Sequence, residues 1–233
     1  MKQEGNTTNK GMIEHKGKAV ALALALILGI YYFIPASALE GIIPEALISH
    51  RTAGPLLILT IAGIFYLPPL MTAAMFFSFL GDLFGTYQNF IGQMSTFAVA
   101  HALMVTYFIL RLKKNNKGRS RRQKSFIYLG ITTAVCLFAF ACIYIVPYAP
   151  AGVIRIGASV YAFLICSMLA TAMMQRNGIF TAGALLFVFS DAILAWNKFV
   201  TPLEWENFLI IVPYFSAQML LWFGASKDII PKR

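Results

Sequence analysis

Two aspartates lie in stretches of sequence that are otherwise apolar. Asp82 stands within FFSFLGDLFGTY, and Asp191 stands within LFVFSDAILAW. An ionised carboxylate in the middle of a bilayer costs roughly 2.5 to 3.5 kcal/mol on insertion scales, so acids at such positions are usually functional. The glutamates lie in tails, in loops or at a segment edge, and Asp228 follows the last apolar segment. Asp82 and Asp191 are therefore the interior acids.

A pair of buried acids can divide the work of acid–base catalysis. Burial disfavours the charged form of a carboxyl group, and a second carboxylate nearby disfavours it further. One member can then stay protonated at neutral pH while the other is ionised, which provides a general acid beside a general base. The sequence contains no His/Cys metal cluster, phosphate-binding loop or G-x-S-x-G elbow. It predicts hydrolysis of a lipid-soluble substrate by two aspartates, with no metal and no cofactor.

Several further polar residues recur at helical spacing in the apolar segments. The side chains that we expect to bind or orient a substrate are His101, Tyr214, Gln218, Arg155, Tyr161 and Ser190. Each has an ordinary structural interpretation when it is taken singly. Intramembrane His, Tyr and Gln side chains commonly hydrogen-bond between helices, and an arginine near a helix end can extend to the membrane interface.

Composition determines the kind of fold that must position these residues. The chain has 233 residues, of which 59% are hydrophobic and 12% charged, whereas soluble domains carry about 25% charged residues. We predict an all-α, polytopic transmembrane bundle of about eight helices, forming a single integral membrane domain over residues 1–233. The predicted segments are 18–35, 53–67, 69–87, 90–111, 126–147, 151–174, 178–196 and 206–225.

The basic residues predict the topology. They cluster in a tail at 1–17, a loop at 111–125 and a tail at 226–233, and with eight crossings all three lie on one side. The positive-inside rule then places both termini in the cytosol, in what we expect to be a bacterial cytoplasmic membrane. The loop is expected to meet anionic lipid and, lacking interleaved aromatic residues, not nucleic acid. Cleavage after Ala36-Ser37-Ala38, which fits a signal-peptidase site, is an open alternative that would leave seven helices.

Two patterns suggest that the aspartates can meet. Each lies five residues before the predicted outer end of its segment, at residues 87 and 196, which is about 7 to 8 Å of helix. A faint parallel repeat of two four-helix halves is also present. A shift of 109 residues lays Asp82 on Asp191, Tyr87 on Trp196 and Phe90 on Phe199.

A set of short motifs resembles the YhhN family of lysoplasmalogenase-like membrane proteins. The motifs are S-x-x-G-D at 78–82, F-x-G at 90–92, His101 with Tyr107, Tyr161 with Met168, G-A-x-x-F-x-x-S-D at 183–191 and Y-x-x-A-Q at 214–218. Each motif is weak alone, but their order and spacing together are fairly specific.

The resemblance implies cleavage of the vinyl ether bond of lysoplasmalogens to a fatty aldehyde and a glycerophospho-head group. The partners would be a lysophospholipid substrate and membrane lipid. One aspartate would protonate the vinyl ether and the other would activate water, with the order left open. His101, Tyr214 and Gln218 would orient water or the ether oxygen, and Arg155 would hold the phosphate. The family usually has a Lys-Pro or similar basic element where this chain reads Ala53-Gly54-Pro55. If that lysine binds a phosphate head group, either Arg51 replaces it here or the choice of substrate differs.

Other functions also use paired membrane aspartates. A proton-coupled or lipid transporter would move its substrate without forming a product. An aspartyl intramembrane protease would cleave a membrane peptide, although residues 79–82 carry only part of the G-x-G-D pattern of such enzymes and no Pro-Ala-Leu element is found. A scaffold without chemistry would tolerate Asp→Asn changes at both positions.

Overall fold

The computed structural model describes residues 2–114 and 121–228 of the chain. Within these residues the regular structure is entirely helical, which confirms the predicted all-α class. The nine α-helices of this described part are α1 Lys2–Tyr31, α2 Glu45–Ser49, α3 Gly54–Tyr66, α4 Pro69–Thr86, α5 Phe90–Lys114, α6 Arg121–Tyr144, α7 Val153–Met173, α8 Gly178–Phe199 and α9 Glu206–Ser226.

Six helical stretches in the described residues are long and apolar enough to cross a membrane. They are Pro69–Thr86, Phe90–Lys114, Ser125–Tyr148, Val153–Met173, Gly178–Phe199 and Glu206–Ser226. The remaining two predicted segments fall in α1 and in the shorter apolar helix α3. The chain is therefore a multi-pass helical protein, and crossings by α1 and α3 remain a prediction.

The ends of several helices differ from the predicted segments. Helix α1 begins at Lys2, so most of the stretch predicted as a tail is helical, consistent with its lack of proline. Residues 111–114 belong to α5. Residues 121–125 of the loop predicted at 111–125 belong to α6. Residues 115–120 of that loop and residues 229–233 of the tail predicted at 226–233 lie outside the described residues.

Prolines and side-chain caps set the turns between helices. Pro68-Pro69 separates α3 from α4, with Pro69 at the start of α4, where a missing N–H costs nothing. The hydroxyl of Thr72 donates a hydrogen bond to the carbonyl of Gly63 across this turn, at 2.9 Å. The side chain of Asn177 caps α8 by accepting from the N–H of Ile179, at 2.9 Å.

Consecutive helices pack against each other in both halves of the chain. Helices α4 and α5 form one close pair, and α8 and α9 form another. Helix α9 also contacts α1, α3 and α4, and the indole of Trp222 on α9 donates to the carbonyl of Leu59, at 2.9 Å. Helix α6 packs mainly against α7 and lies at the flank of the bundle.

A cluster around Asp228 ties together the end of the bundle that carries residues 67–68, 174–177 and 227–228, which we call the ion-pair end. Arg111 contacts both carboxylate oxygens of Asp228, with Nε 2.5 Å from Oδ2 and Nη2 3.1 Å from Oδ1. The hydroxyl of Tyr107 donates to Oδ2 at 2.5 Å, and Arg111 Nη1 donates to Gln175 at 3.0 Å. Lys18 on α1 reaches the carbonyl of Ser226 at this same end, at 2.7 Å.

Candidate active site

A polar cavity of about 800 Å³ lies at the opposite end of the bundle, which we call the cavity end. Helices α4, α5, α8 and α9 form its walls, and residues 32–52 of the connection between α1 and α3 complete it. Both Asp82 and Asp191 line this cavity. The structure therefore brings the two interior acids to one site.

Each aspartate is held by one tyrosine from another helix. Asp82 on α4 is 7% exposed, and its Oδ2 accepts a hydrogen bond from the hydroxyl of Tyr214 on α9, at 3.0 Å. Asp191 on α8 accepts a hydrogen bond from the hydroxyl of Tyr161 on α7. Two of the predicted orienting residues, Tyr161 and Tyr214, thus contact the acids directly.

An aromatic cluster, formed by Phe97, His101, Tyr161, Phe187 and Tyr214, connects the two aspartate–tyrosine pairs. The ring of His101 lies edge-on to Tyr161 at 5.3 Å and to Phe187 at 4.7 Å between centroids. Phe187 in turn contacts Tyr214 at 5.5 Å, and Phe97 contacts Tyr214 at 5.8 Å. Edge-to-face packing of this kind fixes ring orientation, so the cluster sets the positions of both tyrosine hydroxyls.

His101 is fully buried and uses one ring nitrogen for a backbone contact. Its Nδ1 lies 2.7 Å from the carbonyl of Phe97, and because a carbonyl only accepts, Nδ1 carries the proton. In the neutral imidazole Nε2 is then an acceptor. Among the described residues Nε2 has no hydrogen-bond partner.

Two more buried side chains near the aspartates have unused polar atoms. Ser78 lies one helical turn from Asp82 and Gln218 one turn from Tyr214, and both are 0% exposed. Neither the hydroxyl of Ser78 nor the amide of Gln218 has a partner in the part of the chain that the structure describes. Buried polar groups without a protein partner are sites where ordered water binds.

The structure places Ser190 and Arg155 differently from the other predicted residues. Ser190 lines the cavity, but its hydroxyl donates to the carbonyl of Ile210 at 2.9 Å and joins α8 to α9. The guanidinium of Arg155 donates to the carbonyls of Ala149, at 2.8 and 3.0 Å, and of Pro147, at 3.0 Å. Arg155 is absent from the residues that line the cavity. The turn before α7 uses this guanidinium, so the structure does not bring Arg155 to the aspartates.

Two other cations line the cavity. Arg51 donates from Nη1 to the carbonyl of Ile34 at 2.7 Å, and its guanidinium lies 5.2 Å from the ring centre of Tyr32. The ammonium of Lys198 lies 4.5 Å from the ring centre of Phe90. The resemblance to the YhhN family had made Arg51 a candidate phosphate ligand, whereas the sequence signalled Lys198 only as a basic side chain outside the basic clusters.

Sequence reasoning missed several polar residues of the cavity, among them Glu206 and Asn207 at the start of α9 and Asn197 near the end of α8. They lie where apolar segments end, so helical periodicity does not select them. The signal that could have found them is a group of polar residues, a carboxylate, amides and a cation, around the connection between the last two predicted segments.

An apolar pocket of about 170 Å³ adjoins the cavity. Residues of α5, α6, α7 and α8 line it, among them Met94, Phe140 and Ala162. Asp191 lines both the apolar pocket and the polar cavity. Gln93 and Phe97 on α5 and Leu194 on α8 also line both spaces. The two spaces therefore meet between α5 and α8, and Asp191 supplies a carboxyl group at this junction.

The prediction that both aspartates lie equally far from their helix ends is wrong. Asp82 lies four residues before the last residue of α4, whereas α8 continues to Phe199, eight residues beyond Asp191. Asn197 holds this extra turn by accepting from the N–H of Leu203, at 2.7 Å, and by donating to Glu206. The aligned residues Phe90 and Phe199 are in contact, at 5.6 Å between ring centroids, but the parallel repeat itself stays a prediction.

Apolar helices around a cavity lined by two aspartates, of which Asp82 is buried and Asp191 is half-buried, define a polytopic membrane protein with an acid pair in its interior. The profile of the YhhN family matches residues 50–225, and the chain belongs to this family. The matched residues include every predicted site residue.

Curated relatives agree with this membership. The chain is 29% identical over 143 residues to lysoplasmalogenase TMEM86B of Homo sapiens, covering 61% of this chain and 57% of the human protein. It is 29% identical over 167 residues to lysoplasmalogenase TMEM86A of Bos taurus, covering 66% of this chain and 64% of the bovine protein. The chain thus matches little more than half the length of the human relative. No solved structure matches the chain.

Proposed function

We propose that this protein hydrolyses the vinyl ether bond of lysoplasmalogens within a membrane, releasing a fatty aldehyde and a glycerophospho-head group. The observation that carries the proposal is the junction of the polar cavity and the apolar pocket at Asp191. A lysoplasmalogen has a polar head group, then a vinyl ether, then a hydrocarbon chain. With its head group in the cavity and its chain in the pocket, the vinyl ether lies beside Asp191. The names of the curated relatives support the same substrate class.

The size of the apolar pocket sets how much of the chain it can hold. The apolar pocket, of about 170 Å³, is much smaller than the polar cavity, of about 800 Å³, so we assign to it only the part of the chain next to the vinyl ether. The rest of the chain would leave past α6, which lies at the flank of the bundle, into the surrounding lipid. A short pocket therefore positions the reacting carbons without enclosing the whole chain.

Protonation of carbon is the first chemical step. The β-carbon of the vinyl ether belongs to the hydrocarbon chain and lies on the side of the apolar pocket, so we assign proton donation to Asp191. The O–H bond of the acid breaks as the C–H bond forms, and the alkene electrons leave an oxocarbenium ion at the α-carbon. The Tyr161 hydroxyl, which donates to Asp191, stabilises the carboxylate that develops in this step.

Addition of water is the second step, and we assign its activation to Asp82. The carboxylate of Asp82, held by Tyr214, takes a proton from water as the oxygen bonds to the α-carbon. Ser78, His101 and Gln218 offer the unused polar atoms that could hold this water. The resulting hemiacetal collapses to the aldehyde, returning its hydroxyl proton to Asp191, while Asp82 protonates the departing glycerol oxygen. One water is consumed and both acids regain their starting states.

The test is release of fatty aldehyde from lysoplasmenyl-ethanolamine by the purified full-length protein in detergent, followed by mass spectrometry. Wild type, Asp82→Asn and Asp191→Asn are compared with Asp228→Asn, which changes the remaining aspartate at the ion-pair end. General acid–base catalysis contributes about 10² to 10⁴ in rate, so we expect losses of at least about a hundredfold for the first two variants. The Asp228→Asn protein is expected to retain activity.

Two results would contradict the proposal in different ways. Folded Asp82→Asn or Asp191→Asn protein with full turnover would remove that aspartate from the mechanism. Folded wild type that releases no aldehyde would reject the substrate class, and the same protein would then be assayed for flux of lysolipid in proteoliposomes.

A further inference from the structure

The polar cavity carries charges of both signs away from the aspartates. Arg51, on the connection between α1 and α3, and Lys198, on the last turn of α8, supply two positive charges. Glu206, in the first turn of α9, supplies a negative charge in the same cavity. This group has no place in the proton transfers proposed above.

The carboxylate of Glu206 is positioned and still partly free. Asn197 donates a hydrogen bond to its Oε2, which fixes the side chain against the end of α8. Within the described residues its Oε1 accepts no hydrogen bond, and the residue is only half-buried. Next to it, Asn207 is held by the hydroxyl of Tyr32, which donates to its side-chain oxygen at 3.0 Å. One carboxylate oxygen therefore remains available to a ligand that enters the cavity.

We propose that Arg51, Lys198 and Glu206 form a binding site for a zwitterionic lysolipid head group, in which a phosphate and an ammonium are joined by a two-carbon link. Arg51 and Lys198 bind the phosphate, and Glu206 binds the ammonium. Glu206 is thereby the residue that distinguishes an amine-bearing head group from a bare phosphate. The inference rests on the proposed function, because it takes the ligand to be a lysophospholipid.

The charges of the ligand explain why the site needs both cations and a carboxylate. Two cations alone would favour a phosphate monoester, which carries up to two negative charges, over a phosphodiester, which carries one. A carboxylate beside them repels the second negative charge and accepts a charge-assisted hydrogen bond from an ammonium. A glutamate at a helix start also interacts favourably with the helix dipole, but that contribution is independent of the ligand.

The experiment measures binding of two alkyl-ether lysolipids that lack the vinyl group and cannot be hydrolysed by this route. One carries phosphoethanolamine and the other a bare phosphate. We expect wild type to prefer the phosphoethanolamine lipid. Loss of one charge-assisted hydrogen bond corresponds to roughly tenfold in affinity, so Glu206→Gln should reduce the ratio of the two affinities by about that factor. Glutamine keeps an acceptor for Asn197, which preserves the loop.

Two control variants separate recognition from structure. Glu204→Gln removes an exposed carboxylate two residues away that does not line the cavity, and it should leave the ratio unchanged. Lys198→Gln should weaken binding of both lipids, and because the bare phosphate carries more negative charge, it should not lower the preference for phosphoethanolamine as Glu206→Gln does. An unchanged ratio in folded Glu206→Gln, or an equal change in Glu204→Gln, would overturn the proposal.

Additional measurements identify the source of the head group and separate this inference from the proposed function. Glycerophosphoethanolamine, which has the head group without a chain, should bind far more weakly than the lysolipid; equal binding would overturn the assignment to a lipid. Aldehyde release from lysoplasmenyl-ethanolamine is measured on the same wild-type preparation. Selective binding without release of aldehyde would reject the proposed hydrolase activity and support the head-group site. Release of aldehyde with an unchanged affinity ratio in Glu206→Gln would support the hydrolase activity and reject the head-group site.

Discussion

Replacing Tyr161 by phenylalanine tests the assignment of Asp191 as the proton donor. The substitution removes the hydroxyl that donates to Asp191 and keeps the ring that packs on His101 at 5.3 Å. Before Asp191 donates its proton, the acceptor of this hydrogen bond is a neutral carboxylic acid. After the donation, the acceptor is a charged carboxylate. Hydrogen bonds to charged groups contribute about 1.5 to 3 kcal/mol and neutral ones about 0.5 to 1.5 kcal/mol. The gain on reaching the transition state is therefore about 1 to 2 kcal/mol.

That difference sets the size of the expected effect. A loss of about 1 to 2 kcal/mol in the transition state alone lowers kcat by roughly 5- to 30-fold and leaves KM nearly unchanged. The assay is the initial rate of aldehyde release across lysoplasmenyl-ethanolamine concentrations. Tyr128→Phe is the matched control, because Tyr128 is 69% exposed on α6.

The corresponding change at Tyr214 makes the test directional. Its hydroxyl donates to Asp82, which in the proposed mechanism is charged before reaction and is neutralised as it takes the proton from water. Tyr214→Phe should therefore lower kcat less than Tyr161→Phe does. The opposite order would assign proton donation to Asp82, and an unchanged kcat in folded Tyr161→Phe would refute the reasoning.

Two further predictions concern stability and topology. Asp228→Asn removes the charge that pairs with Arg111. For a partly buried pair we expect the free energy of unfolding to fall by about 1 to 3 kcal/mol, which lowers the apparent Tm by about 3 to 10 °C in thermal unfolding followed by tryptophan fluorescence. A shift below 1 °C would show that the pair contributes nothing measurable. Tyr87→Cys places a thiol at the cavity end, at a position that is 67% exposed. In a background that lacks the native cysteines, we expect a membrane-impermeant maleimide to label this thiol from outside intact cells. Labelling from the cytosolic side alone would reverse the predicted topology.

The sequence by itself determined the elements and the acids. Apolar length and helix-breaking prolines depend only on local residues, so the predicted segments coincide with α1 and α3 to α9 within a few residues, apart from the start of α1. The interior position of Asp82 and Asp191 follows from their apolar neighbours along the chain. The helical spacing of Tyr214 and Gln218 likewise places both on one face of α9 without knowledge of any other helix.

Only the tertiary structure decided which side chains meet. Tyr161 and Tyr214 reach different aspartates because α7 packs beside α8 and α9 beside α4, and no spacing within one helix encodes that choice. Arg155 lies away from the site because nearby carbonyls take its guanidinium. Glu206, from a segment boundary, enters the cavity through the packing of α8 on α9. The physical reason is that periodicity describes one helix at a time, whereas a site depends on the relative rotation and depth of several helices packed together.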